Sequence, residues 1–124
     1  MKFHQTRVSG QYQCTGYGAG YVSINGERHE RSLVLLPDRI IAWPVTSFEA
    51  LTEADFAPLA GLPVEVLLLG IGRRLRFPPP PLTRALVQAR LGLEVMDTAA
   101  ACRTYNILLA EQRRVAAALL IEPA

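Results

Sequence analysis

The polar and charged side chains that could bind a ligand cluster around two predicted strand ends in the second half of this 124-residue chain. Residues 70–72 (Gly-Ile-Gly) follow residues 64–69, an almost continuously apolar run of the kind found in buried parallel strands. Asp97 and Thr98 follow a second predicted strand and begin the longest predicted helix. Because ligands of open α/β sheets bind beyond the carboxyl ends of the strands, these two ends predict a ligand site. The candidate ligand-binding residues are Gly70, Gly72, Arg73, Arg74, Asp97, Thr98, Arg103 and Asn106.

A small anion is the ligand that this pattern favours. Free N–H groups at the start of a helix attract negative charge, and four nearby arginines add positive charge. These are Arg73, Arg74, Arg76 and Arg103. Asp97 argues against a phosphate, because its own carboxylate can occupy the helix end. The alternative interpretation is a solvated arginine loop beside an ordinary helix N-cap, since both features are common.

Dinucleotide binding is not favoured at this loop, because the glycine fingerprint is incomplete. The Gly-x-Gly-x-x-Gly pattern needs a glycine at position 75, where this chain has Leu75. The pattern also needs a helix directly after the loop, and a run of four prolines at 78–81 intervenes. The glycines at 70 and 72 therefore also fit a plain tight strand exit, where glycine adopts backbone angles that other residues avoid.

No residues with the spacing of a catalytic or metal site stand out, which favours a protein that is not an enzyme. Cys102 is predicted on the buried face of the last helix, where a thiol is usually inert. Cys14 lies far from it in the sequence, so no disulfide is expected in a reducing compartment. The two cysteines match no zinc-binding spacing with His4 and His29. No metal and no cofactor is therefore predicted.

The charge balance excludes generic polyanion binding. The chain has 13 Lys+Arg, 11 Asp+Glu and a formal net charge of +2, which is too small for bulk attraction to nucleic acid or an acidic membrane surface. The total hides an asymmetry, because residues 71–124 contain eight basic and four acidic side chains. All eight basic residues are arginine, and three lie between positions 73 and 76. This loop is the charged feature to locate in the fold.

The hydrophobic content of the chain and its distribution predict whether the chain folds and where in the cell it works. Half of the residues are hydrophobic, so the chain can bury a real core and is not disordered. No run of about 18 apolar residues is present, so membrane insertion is not expected. Residues 1–7 lack the apolar stretch of a signal peptide. These features predict a cytoplasmic protein.

The order of predicted elements indicates one α/β domain over residues 1–124. Residues 1–45 are predicted as an antiparallel β meander, with strands at 12–14, 21–24, 32–36 and 39–43 and a hairpin turn at Asn25-Gly26. Residues 46–124 alternate, with helices at 52–59, 82–91 and 98–112 and strands at 64–69, 94–96 and 114–121. The prolines at 78–81 are predicted to be a rigid connector, with a polyproline ligand as the alternative.

The last predicted helix carries an unusual polar run at residues 103–106 (Arg-Thr-Tyr-Asn). Helical periodicity places Tyr105 on the buried face with Cys102. Arg103 is then expected to pair with a carboxylate such as Asp97; alternatively, Arg103 and Asn106 face a cleft. Trp43 ends a strand, and a tryptophan there is expected in core or rim packing unless it lies on the surface, where it would favour a partner interface.

The chain resembles a small family of uncharacterised domains over nearly its whole length. The resemblance rests on residues 92–108 (GLEVMDTAAACRTYNIL) with Glu111, Arg113 and Val115, on residues 68–72 (LLGIG), and on Trp43-Pro44. That family includes bacterial and archaeal stand-alone proteins, a mitochondrial complex I (NADH dehydrogenase) assembly factor and an adipogenesis-associated animal protein. Two positions depart from its pattern: Ile71 replaces a frequent threonine, and Gln112 replaces a frequent glycine.

The resemblance implies a three-layer fold with a central mixed sheet, packed helices and an additional N-terminal β layer. It also implies a non-enzymatic binding or assembly-factor-like role, and a protein partner is therefore expected. The alternative from the residues themselves is a small-anion or small-ligand-binding domain, with a reaction left open. A monomer or a weak homo-oligomer is expected, with an exposed edge of the meander as the place where copies could pair.

Overall fold

The computed structural model of the protein describes residues 10–124. His4 and the N-terminal segment considered for a signal sequence lie outside that range. The described chain forms eight strands and three α-helices, with two 3₁₀ turns at Ala57–Gly61 and Pro80–Thr83. The strands and helices are β1 (Cys14–Gly18), β2 (Tyr21–Ile24), β3 (Glu27–His29), β4 (Leu33–Leu35), β5 (Ile40–Ala42), α1 (Glu53–Phe56), β6 (Val66–Gly70), α2 (Arg84–Gln88), β7 (Gly92–Met96), α3 (Thr98–Ala110) and β8 (Val115–Leu119).

A five-stranded mixed sheet forms the centre, with the strand order β5-β4-β8-β6-β7. β6 pairs in parallel with both β7 and β8, and β4 pairs antiparallel with β8 and β5. All five residues of β6 and of β8 are buried, because both faces of the sheet are covered. The predicted fold class, an α/β domain with a central mixed sheet, packed helices and an N-terminal β layer, is confirmed.

Each face of the central sheet has its own hydrophobic core, as the two-residue period of a strand requires. Leu68 and Val66 point toward α3 and the small sheet, where they join Tyr105. Leu67 and Leu69 point to the opposite face, where α1, α2 and Trp43 cover them. The indole of Trp43 is 5% exposed and donates a hydrogen bond to the Asp55 carbonyl (2.9 Å), so this tryptophan packs in the core.

The predicted single meander over residues 1–45 is wrong in one respect, because its strands belong to two sheets. β1, β2 and β3 form a separate antiparallel sheet, whereas β4 and β5 join the central sheet. Burial explains the division: the three residues of β4 are all buried, which requires cover on both faces, whereas β3 is largely exposed. The Asn25-Gly26 hairpin is confirmed, with φ of 49° and 84°.

Several element boundaries also differ from the prediction. β1 begins at Cys14 rather than Tyr12, and it includes Gly16 and Gly18, with an irregular register between Cys14 and Gly16. α2 spans only Arg84–Gln88, because the proline run first imposes the 3₁₀ turn at Pro80–Thr83. The longest described helix, α3, has 13 residues, and no helix among residues 10–124 is long and apolar enough to cross a membrane.

Candidate functional site

The predicted strand ends meet in a cleft of about 310 Å³. The β1–β2 hairpin forms one wall, and the exits of β6 and β8 with the start of α3 form the other. The lining residues are Tyr17, Gly18, Ala19, Gly20, Tyr21, Gly72, Arg73, Asp97, Thr98, Ala99, Leu120, Ile121 and Glu122. Four of the eight predicted site residues therefore line one cavity: Gly72, Arg73, Asp97 and Thr98.

Gly70 allows α3 to start directly above the end of β6. A Cβ atom at this position would lie 3.0 Å from the Thr98 Cα and 3.1 Å from the Ala101 Cβ. Those distances are tighter than ordinary van der Waals contact, and one of the neighbours is backbone. Gly70 is itself fully buried, so its contribution to the site is the close approach of helix and strand.

Thr98 ties the three strand ends together through its backbone and its hydroxyl. Its N–H donates to the Gly72 carbonyl (2.8 Å), and the Gly72 N–H donates to Thr98 Oγ1 (2.8 Å). The Thr98 hydroxyl in turn donates to the Leu120 carbonyl (2.7 Å). These bonds hold the exits of β6 and β8 against the start of α3, so they fix the base of the cleft.

The start of α3 already carries a negative charge. Asp97 has extended backbone angles and is the N-cap, and its Oδ1 accepts a hydrogen bond from the Ala100 N–H (2.8 Å). The carboxylate also interacts favourably with the positive end of the helix dipole. This arrangement agrees with the ordinary-cap interpretation of Asp97 and disfavours a multiply charged anion at the helix end.

The sequence predicts that Arg76 adds positive charge to the site. In the structure its side chain instead points into the fold. Its Nη2 donates to the Ile71 carbonyl (3.0 Å) and to Glu122 Oε1 (3.1 Å), and its Nη1 reaches Glu49 Oε2 at 3.4 Å. The guanidinium also lies 4.4 Å from the centre of the Phe48 ring. Arg76 therefore anchors its loop to the rest of the fold.

Arg73 and Arg74 remain free of such partners. Both side chains are exposed, and neither takes part in an ion pair with residues 10–124. Arg73 lines the cleft, and Arg74 lies beside it in the sequence. Two acidic side chains also line this side of the cleft: Glu122 is paired with Arg76, and Asp97 caps α3.

Arg103 and Asn106 do not line the cleft. Arg103 donates to the Tyr17 hydroxyl (2.6 Å) rather than pairing with Asp97, so the expected ion pair is wrong. Asn106 holds the backbone of Cys14 in both directions: its Oδ1 accepts from the Cys14 N–H (3.0 Å), and its Nδ2 donates to the Cys14 carbonyl (2.8 Å). The polar run of α3 thus attaches the small sheet to the helix.

The two cysteines are far apart in the sequence but neighbours in the fold. Cys14 on β1 and Cys102 on α3 are both fully buried and free. A hydrogen bond with the Cys102 thiol, together with burial, raises the pKa of Cys14 well above its usual range. A buried thiol that stays protonated is a poor nucleophile, which agrees with the predicted inert character of this region.

Tyr105 leads to a prediction about alkaline stability. Burial is the main cause that raises the pKa of its phenol far above the usual value of about 10, and its hydroxyl donates to the Tyr12 carbonyl (3.0 Å). Above pH 10 the unfolded chain loses this proton and the folded chain keeps it, so the stability must fall as pH rises. Between pH 10 and 11 the unfolding free energy should fall by about 1 kcal/mol more in the wild type than in Tyr105→Phe, because the unfolded phenol is about half ionised at the start of this range. Equal decreases in urea titrations between pH 10 and 11 would contradict this.

Gly72 leads to a second prediction, because its backbone adopts a φ of +96°. L-residues rarely adopt this conformation, and a Cβ here would collide with Glu122 Oε1 and come within 3.0 Å of Arg76 Nη2. Gly72→Ala should lower the free energy of unfolding by about 1–2 kcal/mol. Gly61→Ala is a matched control, since nothing lies within 4 Å of a Cβ there. Urea unfolding in which the two variants match would rule out strain at Gly72.

Leu75 and Phe77 follow the cleft residue Arg73 closely in the sequence, although sequence reasoning passed over them. Their exposed fractions are 52% and 69%, which is high for large apolar residues. The available signal was the alternation of arginine with leucine and phenylalanine at residues 73–77, between a glycine and a proline. Apolar side chains in such a short and charged loop seldom reach the hydrophobic core.

A second groove, of about 480 Å³, runs beside the edge strand β5. Its lining includes Trp43, Pro44, Glu30 and Arg31. β5 is one of two edges of the central sheet, the other being β7. The predicted pairing of copies concerns an exposed edge of the N-terminal meander, to which β5 belongs, and it stays a prediction.

Known proteins resemble the chain over most of its length. Residues 14–120 match the model of a family described as protein of unknown function (DUF498/DUF598). The chain is 38% identical over 115 residues to an uncharacterized protein of Rhodobacter capsulatus, covering 93% of this chain and 89% of that protein. A solution structure from Bordetella pertussis, described as a Mth938-like domain, superposes with a TM-score of 0.79 and 34% identity, covering 99% of this chain and 94% of that one.

A third relative has a named role. The chain is 36% identical over 106 residues to the bovine (Bos taurus) NADH dehydrogenase [ubiquinone] 1 alpha subcomplex assembly factor 3. The match covers 84% of this chain and 57% of the bovine protein, so the chain spans less than three fifths of that relative's length. The residues named above for the resemblance lie within the matched family range.

Proposed function

The chain belongs to the DUF498/DUF598 family of unknown function, and we propose that it is an assembly-factor-like domain that binds a protein partner without catalysing a reaction. Family membership confirms the resemblance seen in the sequence. A relative named as a NADH dehydrogenase assembly factor is consistent with protein partners. The specific role in assembling a NADH dehydrogenase is the proposal.

One observation carries the proposal: residues 73–77 present two unpaired arginines together with exposed Leu75 and Phe77. Arginine and aromatic residues are enriched in protein interfaces and supply much of their binding energy. Leu75 and Phe77 are two positions apart in the sequence and more than half exposed, so they supply apolar surface among the arginines. The loop therefore has the composition of a contact surface.

The polar groups of the cleft support a non-catalytic role. Asp97 caps α3, the Thr98 hydroxyl donates to a backbone carbonyl, and Glu122 is held by Arg76. Each of these groups has a structural partner, and a general acid or base has to be available to a substrate. Arg73, by contrast, is an exposed lining residue whose guanidinium takes part in no ion pair with residues 10–124.

A deletion strain tests the proposal. In a source strain that makes a NADH:quinone oxidoreductase, removal of the gene should lower the assembled enzyme in membranes several-fold, measured as NADH:quinone oxidoreductase activity and as the intact complex on native gels. Succinate dehydrogenase activity in the same membranes serves as the control and should not change. Full assembly and activity in the deletion strain would refute the proposed role.

The alternative function, binding of a small anion or other small ligand, is favoured by the position of the cleft at the predicted strand ends. Asp97 and Glu122 also line it, so a ligand with one carboxylate that reaches Arg73 fits better than a phosphate. An NMR titration with acetate, phosphate and nucleotides tests this idea. Shifts at Gly72 and Ala99 that disappear in Arg73→Gln would support the site, and unchanged spectra would exclude these ligands.

A further inference from the structure

Residues 73–84, called the connection below, lead from the cleft to Arg84, the first residue of α2, and carry charge of one sign. No acidic residue occurs between Glu65 and Glu94, whereas residues 73–84 contain four arginines. Arg76 is held by Glu122 and Glu49, but Arg73, Arg74 and Arg84 take part in no ion pair with residues 10–124. Three exposed positive charges therefore lack a local counter-charge.

The same connection exposes apolar side chains. Leu75 lies between Arg74 and Arg76 in the sequence, and Phe77 follows directly. Both are more than half exposed, and the prolines at 79, 80 and 81 are exposed as well. A surface that combines unpaired guanidinium groups with a protruding phenyl ring offers both the charged and the apolar contacts of a binding hot spot.

The surface is also held in one conformation. Arg76 fixes the middle of the connection to the Ile71 carbonyl and to Glu122, and Pro78 is buried. Four consecutive prolines then restrict the backbone before the 3₁₀ turn at Pro80–Thr83. Because little conformational entropy remains to be lost, a partner can bind this segment at a lower ordering cost than it would bind a flexible loop.

The positive charges on the connection favour carboxylates over a lipid surface. Every one of them is arginine, whose planar guanidinium pairs with a carboxylate through two parallel hydrogen bonds. An anionic bilayer contributes only about 1 kcal/mol for each basic residue at its surface, and three such residues give weak attachment. An acidic protein segment can instead pair with the arginines while an aromatic side chain packs on Phe77.

We propose that residues 73–84 are the docking surface for an acidic segment of a partner protein, one that carries an aromatic or aliphatic anchor beside its carboxylates. This inference rests on the proposed function and specifies the chemistry of its partner. Carboxylates pair with Arg73, Arg74 and Arg84, and the anchor fills the apolar surface of Leu75 and Phe77. Association is steered by charge, so it weakens as the salt concentration rises.

A random copolymer of glutamate and tyrosine (4:1) is the probe, and poly-glutamate is its comparison. Fluorescence anisotropy of labelled copolymer should show binding to the full chain at low salt. The Arg73→Glu/Arg74→Glu variant should bind at least tenfold more weakly, and Phe77→Ala should lose most of the preference for the copolymer over poly-glutamate. These side chains are exposed, so the urea unfolding curves of the variants should match the wild type.

Arg31→Glu/Arg39→Glu is the matched control, because it changes the net charge equally at exposed positions outside the connection. It should bind within twofold of the wild type. Equal loss in both double variants would overturn the proposal in favour of nonspecific charge. Binding to phosphatidylglycerol vesicles that requires Arg73 and Arg74, without copolymer binding, would overturn it in favour of a membrane surface.

The outcomes separate this inference from the proposed function. If the deletion strain loses the assembled enzyme while the copolymer does not bind, the assembly role stands and this docking surface is refuted. If the copolymer binds as described while the deletion strain assembles the enzyme fully, the surface stands and the assembly role is refuted.

Discussion

Replacement of Arg76 by alanine is expected to lower the free energy of unfolding by about 2–3 kcal/mol. The substitution removes hydrogen bonds to the Ile71 carbonyl and Glu122, and it also removes the stacking on Phe48. The Arg76 and Glu122 side chains are only 18% and 21% exposed, so water compensates poorly for the lost pair. The predicted loss is below that of a fully buried ion pair because some solvent reaches both groups.

Urea denaturation at pH 7 measures this effect, and Arg74→Ala is the control. Arg74 is an exposed neighbour with no ion pair among the described residues, so its variant should stay within about 0.5 kcal/mol of the wild type. Arg76→Ala should also bind the acidic copolymer more weakly, because the connection loses its anchor. Equal stability of the two variants would show that Arg76 does not hold the connection.

Asn106→Ala is the other substitution with a large expected effect, a loss of about 2–4 kcal/mol in unfolding free energy. Asn106 satisfies both the N–H and the carbonyl of Cys14, a fully buried residue of β1. Without the amide side chain, two backbone groups at the junction of the small sheet and α3 lack their partners. Each such group costs roughly 1–3 kcal/mol when it is shielded from water.

The measurement for Asn106 combines urea denaturation with amide hydrogen exchange. The Cys14 amide should exchange much faster in Asn106→Ala, while the Leu68 amide in the centre of β6 should lose only the protection that corresponds to the global destabilisation. Thr104→Ala is the control on the same helix and should change stability by less than about 1 kcal/mol. Unchanged protection at Cys14 would contradict the role assigned to Asn106.

Short-range signals account for the features that the sequence predicted well. The apolar run before Gly70 marks a strand covered on both faces, and β6 is such a strand. Asp97 has the residue type and position of an N-cap, and its carboxylate does cap α3. Asn25-Gly26 forms the predicted hairpin because both residues tolerate positive φ. In each case the residues that predict the feature lie within a few positions of it.

Long-range contacts account for what the sequence did not predict. Arg76 turns inward because of Glu122, which lies 46 residues later, and Asn106 bonds to Cys14, 92 residues earlier. No local sequence pattern predicts such partners, because an arginine in a loop is usually solvated and an asparagine in a helix usually faces water. The division of the meander into two sheets likewise depends on β8, which pairs with β4 only in the folded chain.

The fold explains why the candidate surface lies where it does. Residues 73–77 follow the end of β6 at the carboxyl edge of the sheet. The hydrogen bonds of Thr98 to Gly72 and of Arg76 to the Ile71 carbonyl hold the start of this segment beside the exits of the neighbouring strands. The connection can therefore stay exposed and unpaired without loosening the core beneath it.

The most direct test of the account introduces the two charge-reversal variants into the chromosome of a source strain that makes a NADH:quinone oxidoreductase. The measured quantity is NADH:quinone oxidoreductase activity in membranes, normalised to succinate dehydrogenase. If residues 73–84 are the docking surface, Arg73→Glu/Arg74→Glu lowers this activity as far as deletion of the gene does, and Arg31→Glu/Arg39→Glu leaves it unchanged. Wild-type activity in the strain carrying Arg73→Glu/Arg74→Glu, with the protein present at its normal level, would contradict the account.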